Sequence, residues 1–325
     1  MIRILDAGPL TTVQDGGRVG QLRFGIPPSG PVDRRAFVIA NRLVGNDDGA
    51  AGLECTLIGP RLEIQSACTM AVTGAAMPVT VNGAEAPAWG MVALRPGDVV
   101  RLAAARAGVR AYVAFSGGID VPLVLGSRST YIRGRLGGIE GRALRRDDVL
   151  RLQPSPGTSP RRVVDAAAIP DLTQEPEIRI VMGTQADRFS REGVAALLDA
   201  PYEMLPQTDR MGARLRGAKI AHTRGHDIIS DGIPLGGIQV PGDGQPIVLL
   251  VDRQSTGGYT KVATVCSFDI GRIAQVKPGQ RLRFRAIDVA EAHRRLREEV
   301  TSLAQAVREG DGSAAGRSHA PEEKR

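Results

Sequence analysis

The sequence predicts a mainly β protein with some α-helix, and three observations lead there. Forty glycines and 21 prolines against 3% aromatic residues call for many turns rather than helical seams. RLEIQ, TMAVTG, PVTVNG, VVRLA and VRAYVAFSG, all after residue 60, are short, rich in β-branched residues and bounded by Gly, Pro or Asn-Gly. Helical spacing shows in two segments. One is RRAFVIANRLVG at 34–45, with Phe37, Ala40, Leu43 and Val44 apolar and Gly45 as C-cap. The other begins near residue 289, with Val289, Ala292, Leu296, Val300 and Leu303 apolar between charges.

In chain order, residues 1–152 form a first β domain, with Asn82-Gly83 as a type I′ hairpin turn. Residues 153–176 hold five prolines without periodicity and read as a linker. Residues 177–288 form a second β domain, 289–309 an amphipathic helix, and the polar 310–325 a disordered tail. RPGDVVRL, RRDDVLRL and KPGQRLRF each place a turn before a strand, at uneven spacing. That recurrence suggests related β-barrel units rather than a solenoid.

Composition narrows the function classes. The net charge of +7 is carried by scattered arginines interleaved with acids, not by a basic stripe with aromatics, which argues against nucleic acid. No stretch approaches the roughly 20 apolar residues that span a bilayer. The opening MIRILDAGPL lacks a signal-peptide core, so the expectation is a cytoplasmic protein without a membrane partner. Cys55, Cys68 and Cys266 are far apart and odd in number, as expected of reduced thiols. His222, His226 and Asp227 lack helical context and a further ligand, so no metal is expected. GxSxG and Walker A motifs are absent, as is a biotin-accepting Met-Lys-Met.

Four polar, glycine-rich clusters remain. In the first, Gln14, Asp15 and Arg18 project from a turn that Gly16 and Gly17 open to a ligand. In the second, Ser127, Ser129 and Thr130 supply hydroxyls, Arg128 an anion-binding fork, and Gly137–Gly138 a hinge. The third is DRMGARLRG at 209–217, whose arginines could bind an anion or pair with acids; the structural pairing is the favoured reading. The fourth surrounds the apolar run from Ile247 with Gln239, Asp243, Asp252, Gln254, Thr256, Gly257, Gly258, Tyr259 and Lys261. Alternation places Tyr259 and Lys261 on one face, with Lys261 as base or anion anchor and an aspartate orienting an amide or carboxyl group.

Taken in order, GPLTTVQDGGR, GPVD, ANRLVGN, LECTLIGPRLEI, AVTGA, GGIDVPLVLGSRSTY, GGIEGRAL, DRMGARLRG, GIQVPGDGQPIVLLVDRQSTGGYTKVATV and AQVKPG resemble one family over residues 1–288. It is the allophanate hydrolase subunit 2 group, which also forms the A/B part of the urea carboxylase carboxyltransferase domain and the C subunit of the bacterial ATP-dependent 5-oxoprolinase. The resemblance implies cyclophilin-like β-barrels and a companion chain of the type of allophanate hydrolase subunit 1 or the 5-oxoprolinase B subunit. It leaves room for a third chain, of the type of the 5-oxoprolinase A subunit. The matching motif positions are Gln14, Asp15, Arg18, Ser127, Arg128, Thr130, Gln239, Asp243, Gln254, Thr256, Gly257, Gly258, Tyr259 and Lys261. Gly16, Ser255, Thr260 and Thr184 depart from the family pattern without removing an ionisable group.

The expected activity is an ATP-dependent 5-oxoprolinase that opens pyroglutamate to glutamate. Asp15, Arg128, Asp243 and Lys261 carry the chemistry, and Gln14, Arg18, Ser127, Thr130, Gln239, Gln254, Thr256, Gly257, Gly258 and Tyr259 line the substrate. ATP is used by the complex at a site not located in this chain, which carries no covalent biotin. Two alternatives stand beside it: a carboxyltransferase half-site moving CO₂ from carboxybiotin to urea or an amide, and a non-catalytic antagonist of a histidine-kinase inhibitor.

Overall fold

The computed structural model describes residues 1–155 and 160–310. The expected tail from 311 onward, and part of the expected linker, lie outside the described residues.

The first domain is two antiparallel sheets packed face to face. The larger runs, in spatial order, Ile119–Asp120, Val149–Leu152, Ile2–Asp6, Arg61–Ile64, Val99–Leu102, Val79–Val81 and Ala84–Ala86. The smaller runs Thr11–Gln14, Gly52–Thr56, Arg110–Phe115, Cys68–Gly74 and Met91–Leu94. Ile2 and Ile4 of one sheet meet Leu53 and Val113 of the other in one core, while Arg3 points to water. Arg110–Phe115 is buried along its whole length because its outer face carries the helix Arg34–Leu43. Phe37 of that helix meets Tyr112 edge to face at 5.9 Å, and Asp33 caps its start by accepting from the Ala36 N–H at 3.1 Å.

The second domain is a closed seven-stranded barrel in the order Glu177–Met182, Lys261–Val265, Gly237–Gln239, Ile247–Leu249, Gly212–Arg216, Tyr202–Met204 and Arg281–Ala286. Glu177–Met182 and Arg281–Ala286 close it in parallel. Closure removes the exposed sheet edges. A two-stranded ribbon, Asp227–Gly232 with Thr256–Tyr259, lies against the barrel wall.

The recurring turn is real, and its cause is local. Gly97, Asp147 and Gly279 all adopt positive φ, at 92°, 71° and 86°. In each copy the next side chain accepts from the backbone N–H three residues earlier: Asp98 from Arg95, Asp148 from Arg145 and Gln280 from Lys277. Two copies lead into the larger sheet and one into the barrel, so the motif marks a strand entry rather than a repeated domain. Asn82 (φ 52°) and Gly83 (φ 85°) form the expected hairpin turn.

The proline-rich segment contains a strand. Arg162–Val164 pairs antiparallel with Val307–Glu309, which follows the helix Val289–Gln305. Leu303, Val307 and Val164 pack against the helix Arg34–Leu43, so the end of the described chain folds back onto the first domain.

A buried ionic knot joins the domains. Glu54 accepts from the Arg210 guanidinium, the Tyr112 hydroxyl (2.9 Å) and the Val32 N–H (2.9 Å). Arg210 also binds Asp252 (2.8 Å) and the Gly30 carbonyl (2.8 Å). Beside it, Gln275 accepts from the N–H groups of Val109 and Arg110 and donates to Asp33 at 2.8 Å. Burial would raise the Glu54 carboxyl, but Arg210 and Arg110 hold it below the usual range. Asp33, without such a partner, is pushed up by burial. The paired-arginine reading of DRMGARLRG therefore holds at Arg210, while Asp252 is part of this knot and not a free ligand group.

Candidate active site

The first two polar clusters come together, but as a clamp. The Asp15 carboxylate accepts from Ser127 Oγ (2.6 Å), Ser129 Oγ (2.6 Å), the Arg128 N–H (2.6 Å) and the Gly17 N–H (2.9 Å). Burial alone would raise it; these four donors hold it below the usual carboxylate range. A carboxylate so fully occupied holds the loop together, and in this geometry Asp15 is a clamp residue. Arg18 is buried and binds the carbonyls of Val124 (2.9 Å) and Ser129 (2.8 Å). Gln14 donates to Thr12 Oγ1 and the Thr130 carbonyl, and the Thr130 hydroxyl donates to the Val13 carbonyl. Arg128 uses its Nε on the Val121 carbonyl (2.9 Å) and reaches Asp120 at 3.4 Å, so its fork braces its own loop.

Gly137–Gly138 is not a hinge. Both have positive φ, and a Cβ there would lie 2.1 Å from the Ser129 carbonyl oxygen and 2.0 Å from Thr130 Oγ1. These glycines let two stretches of the same loop pack tightly. The clamp fixes loop 125–142, and that loop carries Arg133 to the barrel, where it meets Asp209 at 3.3 Å.

At that junction lies a cleft of about 810 Å³. Gln239, Gln254 and Tyr259 of the fourth cluster line it, together with Asp209 and Arg214 of the third, and with Arg133 and Gln207, which sequence reasoning did not name as site residues. Gln239 follows Ile238, which is in the barrel core, so its side chain stands on the outer wall. The ribbon covers it to 2% exposure, yet its Nε2 has no hydrogen-bond partner among the described residues. A buried amide donor left unmatched is costly unless a ligand or water meets it. Gly257 leaves the space: a Cβ there would sit 2.7 Å from Gln239 Nε2 and 3.5 Å from Gln254 Nε2.

Tyr259 and Lys261 do not share one strand face. Thr260 separates the ribbon strand ending at Tyr259 from the barrel strand starting at Lys261. Tyr259 lines the cleft; Lys261 sends its Nζ to Asp231 on the ribbon at 2.9 Å and takes Gln185 Oε1 on its N–H at 2.8 Å. Thr260 is itself bound, its N–H donating to the His226 carbonyl (3.0 Å) and its hydroxyl meeting the His222 ring (3.0 Å). A proline at this position would lack that N–H. Thr256 and Gly258 belong to the ribbon, with Thr256 opposite Gly232 and Gly258 beside the Ile228 carbonyl. Asp243 is exposed and accepts from the Gln245 N–H at 3.0 Å, a turn-forming role away from the cleft lining. Among the described residues, no cluster of three or more His, Cys, Asp or Glu suits a metal.

Comparison with known proteins places this closed barrel and two-sheet domain among the carboxyltransferase domains. The family model described as carboxyltransferase domain, subdomain A and B, matches residues 24–286, and the chain belongs to that family. It is 37% identical to the 5-oxoprolinase C subunit of Escherichia coli K12, across 90% of this chain and 93% of that protein. It is 34% identical to the Haemophilus influenzae protein of the same name, across 94% and 97%. The Kluyveromyces lactis urea carboxylase structure superposes with a TM-score of 0.90 at 31% identity, covering 95% of this chain and 29% of that one.

Proposed function

We propose that this chain is one component of an ATP-dependent 5-oxoprolinase, active in a hetero-oligomer with companion subunits in the cytoplasm. The observation that carries this reading is the near end-to-end relationship to two proteins named as C subunits of 5-oxoprolinase. The cleft chemistry agrees with it, because the unmatched Gln239 Nε2 suits the carbonyl of a small amide. Lys261, tied to Asp231, holds the ribbon that buries Gln239. The urea carboxylase likeness favours the carboxyltransferase alternative less directly, since that match covers 29% of a much longer chain.

ATP enters this reading through the complex as a whole, at a site not located in this chain. At the starts of the helices beginning at Arg34, Arg191 and Val289, one N–H each, of Ala36, Gly193 and Glu291, is taken by the side chains of Asp33, Ser190 and Asp288. No helix among the described residues is long and apolar enough to cross a membrane.

The test is ATP-dependent glutamate release from 5-oxoproline by the purified complex, with and without this chain. Release that requires the chain, and is lost in Gln239→Leu or Lys261→Ala with the complex intact, supports the proposal. A well-formed wild-type complex without turnover overturns it and moves attention to carboxylation assays with a biotin carrier.

A further inference from the structure

On the outer wall of the barrel, four residues stand in one row across four adjacent strands. Gln239 is opposite Lys261 on one side and Ile247 on the other, and Ile247 is opposite Arg214. Cross-strand partners present their side chains on the same face. The neighbours Val262, Ile238, Val248, Ala213 and Leu215 all belong to the barrel core, so the row itself faces outward. At about 4.8 Å between strands, the Cα atoms of Gln239 and Arg214 are about 10 Å apart. The long arginine side chain bridges much of that distance, and both residues line the same cleft.

The two cleft arginines differ in what they already hold. Arg133 is paired with Asp209 at 3.3 Å. Arg214 has no ion-pair partner among the described residues, although its backbone is fixed. Its N–H donates to Thr208 Oγ1 at 3.0 Å, and its carbonyl accepts from the Leu205 N–H at 2.9 Å. The chain thus presents an immobilised strand position bearing an uncompensated planar cation, two strands from a buried and unmatched carboxamide. Arginine in such a place binds carboxylate with two parallel hydrogen bonds, which a lysine cannot reproduce.

We propose that Arg214 is the carboxylate-binding residue of the cleft, selecting small cyclic amides that carry an acid group while Gln239 Nε2 meets the amide carbonyl. This rests on the 5-oxoprolinase reading and adds the determinant that separates 5-oxoproline from 2-pyrrolidinone, the same ring without its carboxylate.

The experiment compares wild type, Arg214→Gln and Arg214→Lys in the assembled complex with both compounds, by turnover and by saturation-transfer NMR of binding. In Arg214→Gln the KM for 5-oxoproline rises about ten- to a hundred-fold, with kcat within about three-fold. Its response to 2-pyrrolidinone stays as in wild type, and Arg214→Lys recovers only part of the loss. An unchanged KM, or an equal loss for both compounds, overturns the assignment. Should wild type fail to turn over 5-oxoproline yet bind it in an Arg214-dependent way, the enzymatic reading fails and the carboxylate site stands. Absence of binding to wild type overturns the site itself.

Discussion

Replacing Arg210 with Met should reverse the sign of Glu54's contribution to the pH dependence of stability. Arg210 is buried between Glu54, which is 1% exposed, and Asp252, which is 6% exposed. Removing the guanidinium leaves two buried carboxylates, with Arg110 Nε still 3.8 Å from Glu54. Breaking a buried pair in this way costs about 3–5 kcal/mol. With a urea m-value of about 3 kcal/mol per M, the unfolding midpoint falls by about 1 to 1.7 M. In the wild type the folded pKa of Glu54 is depressed, so its contribution is present above the unfolded value of about 4.3 and lost as pH falls through the folded pKa. In the variant, burial raises the Glu54 pKa, so its contribution is largest at low pH and is lost as pH rises through the folded value. Urea titrations at about pH 7.5 and 5.5, followed by Trp89 fluorescence and circular dichroism, therefore show a midpoint that gains more on acidification in the variant than in wild type, where of the Glu54 and Asp33 carboxyls only Asp33 is raised. A midpoint within about 0.3 M of wild type, or a variant that weakens in acid, would refute the assignment of the knot. Replacing Arg210 and Asp252 together by Met and Leu should recover part of the loss, since Glu54 then keeps Arg110 and the carboxylate stranded at Asp252 is gone.

Other outcomes follow from the same geometry. Asp15→Asn should destabilise by about 1–3 kcal/mol through loss of the acceptor for the Arg128 N–H, and should flatten the acid limb of the stability profile. Full stability with abolished turnover would instead make Asp15 catalytic. Gly257→Ala pushes a methyl to within 2.7 Å of Gln239 Nε2 and should raise KM, with a change in Tm of only a few degrees; an unchanged KM would remove Gln239 from the site. Burial pushes the Cys55 thiol up to about 12 and the Cys68 thiol up to about 11. A thiol reagent at about pH 8 should thus label Cys55 only on unfolding and the half-buried Cys68 slowly in the native state, and rapid native labelling of Cys55 would contradict that burial.

The strand content, the Asn82-Gly83 turn, the helix Arg34–Leu43 and the three turn-to-strand entries are local matters, and each was legible in the residues that form it. Side-chain periodicity and turn chemistry act over a few positions, so a linear reading recovers them. The density of polar residues around Ile247 was legible too, and Gln239, Gln254 and Tyr259 do line the cleft. What the polar clusters do was decided by long-range pairing. Asp15 looked like a free acid until loop 125–142 returned across more than a hundred positions to place donors on it. Arg210 and Arg214 are four residues apart on similar motifs. The turn before the barrel strand Gly212–Arg216 buries one against Glu54, and the register of that strand turns the other outward beside Ile247. Sequence determined which side chains were available and which short elements would carry them; only closure of the barrel and its docking on the first domain decided which charges are already compensated. Compensation depends on partners distant in sequence and close in space, and those partners separate the clamp residues from the residues left to meet a ligand.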